Sequence, residues 1–236
     1  MRGLMKSYMA SWAPEFEKRV LPLGSQARGL LTSEAFAFCI LAHMHEVDLV
    51  LESGIWQGQS TEAWCKFFKG NGRVVAIDRS IPQSVSTRLE SIGCDLTLRS
   101  GDGVSLLPQY VDGNKDKTIA VFIDGPKGRQ AIDLGLRLLE RPNVKMVGIH
   151  DVHKISRGKT NSTREYFDSV GYHKFCTDED WFVKAYCHMD LGDTGWDSEQ
   201  SIRWIPYELV TPRNNGERRL GSYGPTIGFL LKEDIQ

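Results

Sequence analysis

Glu52, Asp78, Asp102, Asp124 and the pair His150-Asp151 each follow a short run with strand character. Carboxylates in such places can accept hydrogen bonds from hydroxyls and amines, and a histidine can take up a proton near neutral pH. Glu52 also opens a loop, Glu52-x-Gly54-x-x-x-Gly58-x-Ser60, ahead of a helical pattern carried by Ala63, Trp64, Phe67 and Phe68. The two glycines allow positive φ and a close backbone approach. The first N–H groups of the helix have no partner inside it and carry the positive end of its dipole, so an anion can dock there. Ser60 can cap the helix or offer its hydroxyl to a carboxylate. Taken alone, the stretch is equally an ordinary strand-to-helix turn with a serine cap.

The other acids narrow the chemistry. Asp78 ends an apolar run about 20 residues past the glycines, where an acid can accept from both hydroxyls of a ribose. A helix-capping role suits it less, because Arg79 and Ser80 intervene before Pro82 opens the next helix. Asp102, between Gly101 and Gly103, is either part of a plain turn or an acceptor for an adenine amino group. Asp124 precedes Gly125-Pro126-Lys127-Gly128. His150 or His153 can serve as a general base, with Asp151 orienting it or binding a metal, and Lys127 or Lys154 can stabilise an oxyanion. His153, Lys154, Arg157 and Lys159 share one polar loop and also fit a solvated surface. His43 and His45 read as last-turn residues of a helix, favoured there by its dipole.

The elements that must position these groups alternate. A short leading helix and a loop marked by Pro22, Gly24 and Gly29 precede a helix capped by Thr32 or Ser33, with Glu34 in its first turn and Phe36, Cys39, Ile40 and His43 on one face. A strand around Leu49, Val50 and Leu51 leads into the glycine loop and its helix. Gly70-Asn71-Gly72 turns the chain into a strand over Val74–Asp78. Pro82–Ile92 is predicted as helix, Asp95–Arg99 as strand, Val104–Tyr110 as helix, Ile119–Asp124 as strand, Arg129–Glu140 as helix and Val144–Ile149 as strand. Five strands alternating with helices imply right-handed crossovers and one parallel sheet. After Ser162–Val170, a helix, Tyr172–Cys176, Trp181–His188 and Thr226–Leu231 read as strands, too closely spaced for helical crossovers, and predict an antiparallel finish.

The 236 residues suffice for one α/β domain with a full core. We expect a single domain over 1–236, with an N-terminal helical cap over 1–46 and an excursion at 190–224 on the substrate side. A formal net charge of −1 supplies no field that would draw the chain to nucleic acid or an anionic membrane, which leaves a small molecule as the expected partner. Cys39, Cys65, Cys94, Cys176 and Cys187 are scattered and form no C-x-x-C pair, so they read as core thiols in a reducing compartment. The N-terminus lacks the continuous apolar core of a secretory signal, and no apolar run approaches the roughly 20 residues needed to cross a bilayer. A cytoplasmic, soluble protein is expected. Tyr8, Trp12 and Phe16, with the 190–224 segment, are expected to shape acceptor choice or to form a homodimer contact.

The opening loop, Phe122-Ile123-Asp124-Gly125 and His150-Asp151, in this order, resemble the class I S-adenosylmethionine-dependent methyltransferases over the stretch from about Ser33 to the last strand. They look most like the small-molecule O-methyltransferases of the catechol O-methyltransferase type and the bacterial members with F-I-D-G and H-D motifs. The resemblance implies a Rossmann-like doubly wound sheet in three α/β/α layers, with S-adenosyl-L-methionine as cofactor and a small-molecule hydroxyl as acceptor. It implies that Glu52, Gly54 and Gly58 lie beside the methionine part, that Ser60 meets the carboxylate, that Asp78 holds the ribose, that Asp102 lies by the adenine, and that Asp124 faces the sulfonium. Metal-dependent members carry Asp and then Asp-Asn at the ends of strands four and five. Here Asp124 and Asp151 can supply oxygen ligands to Mg²⁺, whereas His150 is a poor match for a hard cation. Many members also have an acid and a histidine where this chain has Pro126-Lys127. Competing readings are a nicotinamide-dependent oxidoreductase, whose G-x-G-x-x-G fingerprint is absent, and a non-catalytic nucleotide-binding module.

Overall fold

A computed structural model describes residues 2–23, 30–152, 155–156, 159–192 and 227–232. Five strands, Leu49–Ser53 (β1), Arg73–Asp78 (β2), Asp95–Ser100 (β3), Ile119–Ile123 (β4) and Val144–Ile149 (β5), pair in parallel in the order β3-β2-β1-β4-β5. β1 and β4 lie at the centre and bury every residue, as expected for strands covered on both faces. Helices α3 (Gln59–Phe67), α4 (Gln83–Glu90), α5 (Gly103–Gly113) and α6 (Arg129–Leu139) make the crossovers. Because β2 and β3 extend to one side of β1 while β4 and β5 extend to the other, the order reverses between β1 and β4. In an open α/β sheet, that reversal opens a crevice at the carboxyl ends of the strands.

The chain then continues through a two-residue hairpin, β6 (Ile155–Ser156) and β7 (Lys159–Thr160), and helix α7 (Ser162–Ser169). Beyond them come β8 (His173–Cys176), α8 (Asp180–Tyr186) and β9 (Gly228–Leu231). β9 inserts between β5 and β8, antiparallel to both. Phe175 of β8 and Phe229 of β9 are register partners, and their rings stack at 5.6 Å.

Side chains on one face of the sheet, among them Val50, Phe122, Met146 and Phe229, pack under α2 (Thr32–Met44) and α3. Those on the other, among them Leu51, Val121 and Val147, pack under α5, α6 and α7 through Leu107, Leu134, Leu138 and Phe167. The result is three layers. Phe38, Trp64 and Phe122 form an aromatic triangle joining α2, α3 and β4, with ring centroids 4.3, 5.4 and 5.5 Å apart. Such pairs contribute about 0.5–1.5 kcal/mol each beyond their burial. α2 is buried along Thr32–Ala42 because a fourth element covers its outer side. That element is α1 (Arg2–Val20), which lays Met5, Met9, Phe16 and Val20 inward.

Several expectations change here. The leading helix is 19 residues long, running through Pro14, and not short. Phe16 is wholly buried against Phe36 and Phe67, so it serves the core and not a dimer contact. Trp181–His188 is not a strand: Phe182 and Tyr186, four apart, turn inward from α8 against Phe36. Its Trp, Phe, Val and Tyr content gave a β signal that helical burial overrode. His43 does lie in the last turn of α2, where Tyr8 Oη is 2.5 Å from Nδ1 and the Trp12 ring is 4.0 Å away. Cys39, Cys65, Cys94 and Cys176 are free thiols. No described helix is long and apolar enough to cross a membrane. His153, Lys154, Arg157, Thr226 and the greater part of the 190–224 excursion lie outside the described residues.

Candidate active site

Strand register brings the predicted acids to one rim. Ser53 pairs with Ile77 on one side and Ile123 on the other, and Ile123 pairs with Ile149, so Asp78, Asp124 and His150 leave neighbouring strands at one level. The His150 N–H donates to the Ile123 carbonyl at 3.0 Å, and the Asp124 N–H to the Ser53 carbonyl at 2.7 Å. Gly54, at φ +95°, passes so close to β4 that a Cβ would stand 3.0 Å from the Asp124 carbonyl carbon and the Gly125 nitrogen. Gly58, at φ +75°, precedes α3 and lies against Val85 and Leu89 of α4. The turn therefore needs glycine for close approach and for positive φ.

A cleft opens above this junction, lined by Leu30, Ile55, Trp56, Gln59, Ser60, Phe122, Asp124 and His150. Glu52 lies beneath it with no exposed surface. Its carboxyl accepts from the hydroxyls of Ser60 and Thr61, the latter at 2.6 Å, and burial pushes its pKa up to about 8. Glu52 thus does not line the cleft; it fixes the first turn of α3 from below. Ser60 correspondingly directs its hydroxyl proton to Glu52. No side chain caps α3. The side-chain oxygen of Gln59 is buried with no hydrogen-bond partner.

Asp78 stands at the tip of β2 but outside the cleft lining. Its Oδ2 accepts from the Ile55 and Trp56 N–H groups at 2.7 and 3.1 Å, and its Oδ1 from the Ser80 N–H at 3.2 Å. It therefore shapes the glycine loop, a role its position alone did not reveal. Asp102 lies farther along the rim, 3.5 Å from Arg79 and accepting from the Ser105 hydroxyl at 3.1 Å.

The other side of the cleft is charged. His150, 14% exposed, has Nδ1 2.9 Å from Asp124 Oδ1 and 3.3 Å from Asp151 Oδ1, while Nε2 is 3.5 Å from Glu34 Oε2. These are ion-pair distances without hydrogen-bond alignment at Nδ1. Burial opposes the charged ring, but Asp124 and Glu34 outweigh it and hold His150 well above the ordinary histidine pKa. Lys127 bridges Asp124 Oδ1 and Asp151 Oδ2, the latter at 2.6 Å. Burial works against its charge too, yet the two carboxylates raise its pKa. Reciprocally, His150 and Lys127 overcome burial and keep the carboxyls of Asp124 and Asp151 below their usual range. Asp151 has φ +62° and Trp56 φ +44°, left-handed conformations uncommon for non-glycine residues, which Glu46 after α2 also adopts at φ +51°.

The ligand atoms of Asp124, His150 and Asp151 lie within 4.8 Å of one another, a spacing that could hold a metal ion. Mg²⁺, which the sequence leaves open, is a poor match for this set. A hard cation asks for oxygen ligands, and the third group is an imidazole between carboxylates. The ammonium of Lys127 is moreover hydrogen-bonded to one oxygen of each carboxylate.

Sequence reasoning missed Glu34, Trp56 and Gln59. Trp56 is half exposed at the mouth of the cleft, and only its place between two glycines hinted at a ligand-facing residue. Glu34 was read as a helix residue alone. Its Oε2 does accept from the Leu31 N–H at 2.9 Å as a cap would, but the same oxygen also faces His150.

No family model matches the chain, and no curated protein does. Among solved structures, the O-methyltransferase TomG from Streptomyces achromogenes, determined with SAM, is 23% identical, with a TM-score of 0.43. That match covers 63% of this chain and 65% of TomG, just under two thirds of its length. A methyltransferase from Geobacter sulfurreducens is 17% identical over 72% of this chain and 81% of its own, with a TM-score of 0.46. Cofactor-bound Rv0187 from MTB is 16% identical over 97% and 91%, with a TM-score of 0.48. These likenesses are distant, and the chemistry of the site rests on the strand order and the cleft. The chain has the Rossmann-like, three-layer α/β/α fold, with a parallel five-stranded core and an antiparallel C-terminal finish.

Proposed function

We propose that this chain binds S-adenosylmethionine across the β1–β4 crevice and methylates a hydroxyl of a small molecule. One observation carries the reading: a glycine loop, a helix start with no side-chain cap and a charged cluster meet at the point where strand order reverses. The residues fit the cofactor. The N–H groups opening α3 suit its carboxylate, the unpartnered Gln59 oxygen suits its ammonium, Asp78 has acceptor capacity left for a ribose hydroxyl, and Asp102, farther along the rim, suits an adenine amino group. When bound, it supplies a methyl group already activated on a sulfonium.

The protein must then align the acceptor and accept its proton. Lys127 holds the acceptor oxygen. Asp151, at 41% exposed the more open of the two carboxylates, takes the proton. A weak base suffices, because the hydroxyl becomes strongly acidic as its oxygen gains a bond to carbon. His150 has a carboxylate at each ring nitrogen, so it acts as positive charge in the cleft wall and not as the base.

Calorimetric titration with S-adenosylmethionine, S-adenosylhomocysteine and NAD tests this reading. The first two should bind and NAD should not. Binding of NAD alone would assign the crevice to an oxidoreductase, and binding of none to a non-catalytic module.

A further inference from the structure

Lys127 lies among three candidate metal ligands and is joined to two of them. Its side chain is half exposed, and it reaches across from the residues after β4 to Asp151 after β5. A divalent ion bound by Asp124 Oδ1 and Asp151 Oδ2 would sit about 2.0–2.6 Å from each oxygen, which is where an ammonium hydrogen-bonded to both oxygens already lies. Two cations cannot share that position, and the tethered one is always present.

We propose that Lys127 is a built-in cation that replaces a divalent metal between Asp124 and Asp151, and that it anchors the acceptor through a single oxygen. The second half rests on the methyl-transfer reading, while the first does not. An ammonium has three N–H donors. Two go to the carboxylates, which leaves one to hold an acceptor oxygen. A metal ion with open coordination positions can chelate two adjacent oxygens, and one remaining N–H cannot. The acceptor class is therefore a compound with a single hydroxyl at the reacting end, and a neighbouring hydroxyl brings no advantage.

Mn²⁺ titration followed by electron paramagnetic resonance tests the first half without any substrate. The wild type should show no saturable Mn²⁺ site. Lys127→Met should gain one, and Lys127→Met combined with Asp151→Asn should lose it. Lys127→Gln serves as a second variant, with folding checked by circular dichroism. A saturable site in the wild type that Asp151→Asn abolishes would overturn the proposal, as would failure of both folded Lys127 variants to gain one.

The second half is read from turnover in chelator-treated enzyme. Turnover should survive chelation and be about equal for a phenol and the matching catechol. A loss on chelation, or a tenfold or greater catechol preference, would overturn it. If the Mn²⁺ pattern holds but S-adenosylmethionine does not bind, the function fails and the built-in cation stands.

Discussion

Glu52 gives the sharpest check on the architecture of the cleft floor. Its carboxyl is fully buried, and its pKa moves from 4.5 to about 8, chiefly through loss of water and against the hydrogen bonds from Ser60 and Thr61. A carboxyl raised on folding keeps its proton in the native chain and releases it in the unfolded one. Its stabilising contribution is complete below pH 4.5 and is lost as pH climbs through about 8. At roughly 1.4 kcal/mol per unit the whole window amounts to about 3–5 kcal/mol, of which about 2 kcal/mol falls between about pH 5 and pH 7. Glu52→Gln copies the shape of the protonated acid and cannot ionise. Urea unfolding of both proteins across that range should show the variant gaining about 2 kcal/mol on the wild type as pH rises. A gap constant to within about 0.5 kcal/mol would mean that Glu52 titrates like a solvated acid. The sealed floor would then be refuted.

Three further outcomes are expected. Gly54→Ala places a methyl 3.0 Å from backbone at φ +95° and should cost about 1–3 kcal/mol in chemical unfolding, and an unchanged midpoint would show that the loop can move off β4. Asp78→Ala leaves the Ile55 and Trp56 N–H groups without their acceptor and should weaken S-adenosylhomocysteine binding about tenfold or more, whereas equal affinity in calorimetry would remove Asp78 from the ligand site. Arg164, 7% exposed, donates to the Val152 carbonyl at 3.1 Å and to Asp178 at 2.8 Å. Its replacement by Met should cost about 3–5 kcal/mol in guanidinium unfolding, and a loss below about 1 kcal/mol would show that the pair is solvated.

The rim was legible because its signals are local. An apolar run that ends in an acid or a glycine states where a strand stops, and Glu52, Asp78, Asp124 and His150 all declare themselves in that way. Register then needs only parallel pairing to align them. What each does was less legible, because it depends on neighbours distant in sequence. Nothing local says that Glu52 is sealed beneath Ser60 and Thr61, that Asp78 spends an oxygen on the glycine loop, or that Glu34 of α2 faces His150. Lys127 was visible as a cation near the site, but its position between Asp124 and Asp151 is set by the pairing of β4 with β5. α8 was misread because aromatic and β-branched residues favour strands on average, and only the inward pair Phe182 and Tyr186 marks a helix. α1 is longer than the short leading helix expected, because the inward stripe of Met5, Met9, Phe16 and Val20 runs through Pro14.

The place of β9 has a consequence for how the protein is made. A strand encoded after every other described element fills the slot between β5 and β8, and among the described residues β8 pairs with nothing else. Until residues 228–231 leave the ribosome, the nascent chain carries an open, strongly apolar β5 edge and a homeless β8. Such edges invite pairing with other chains, so biosynthesis passes through a stage that benefits from chaperone cover and ends only when the last strand threads home.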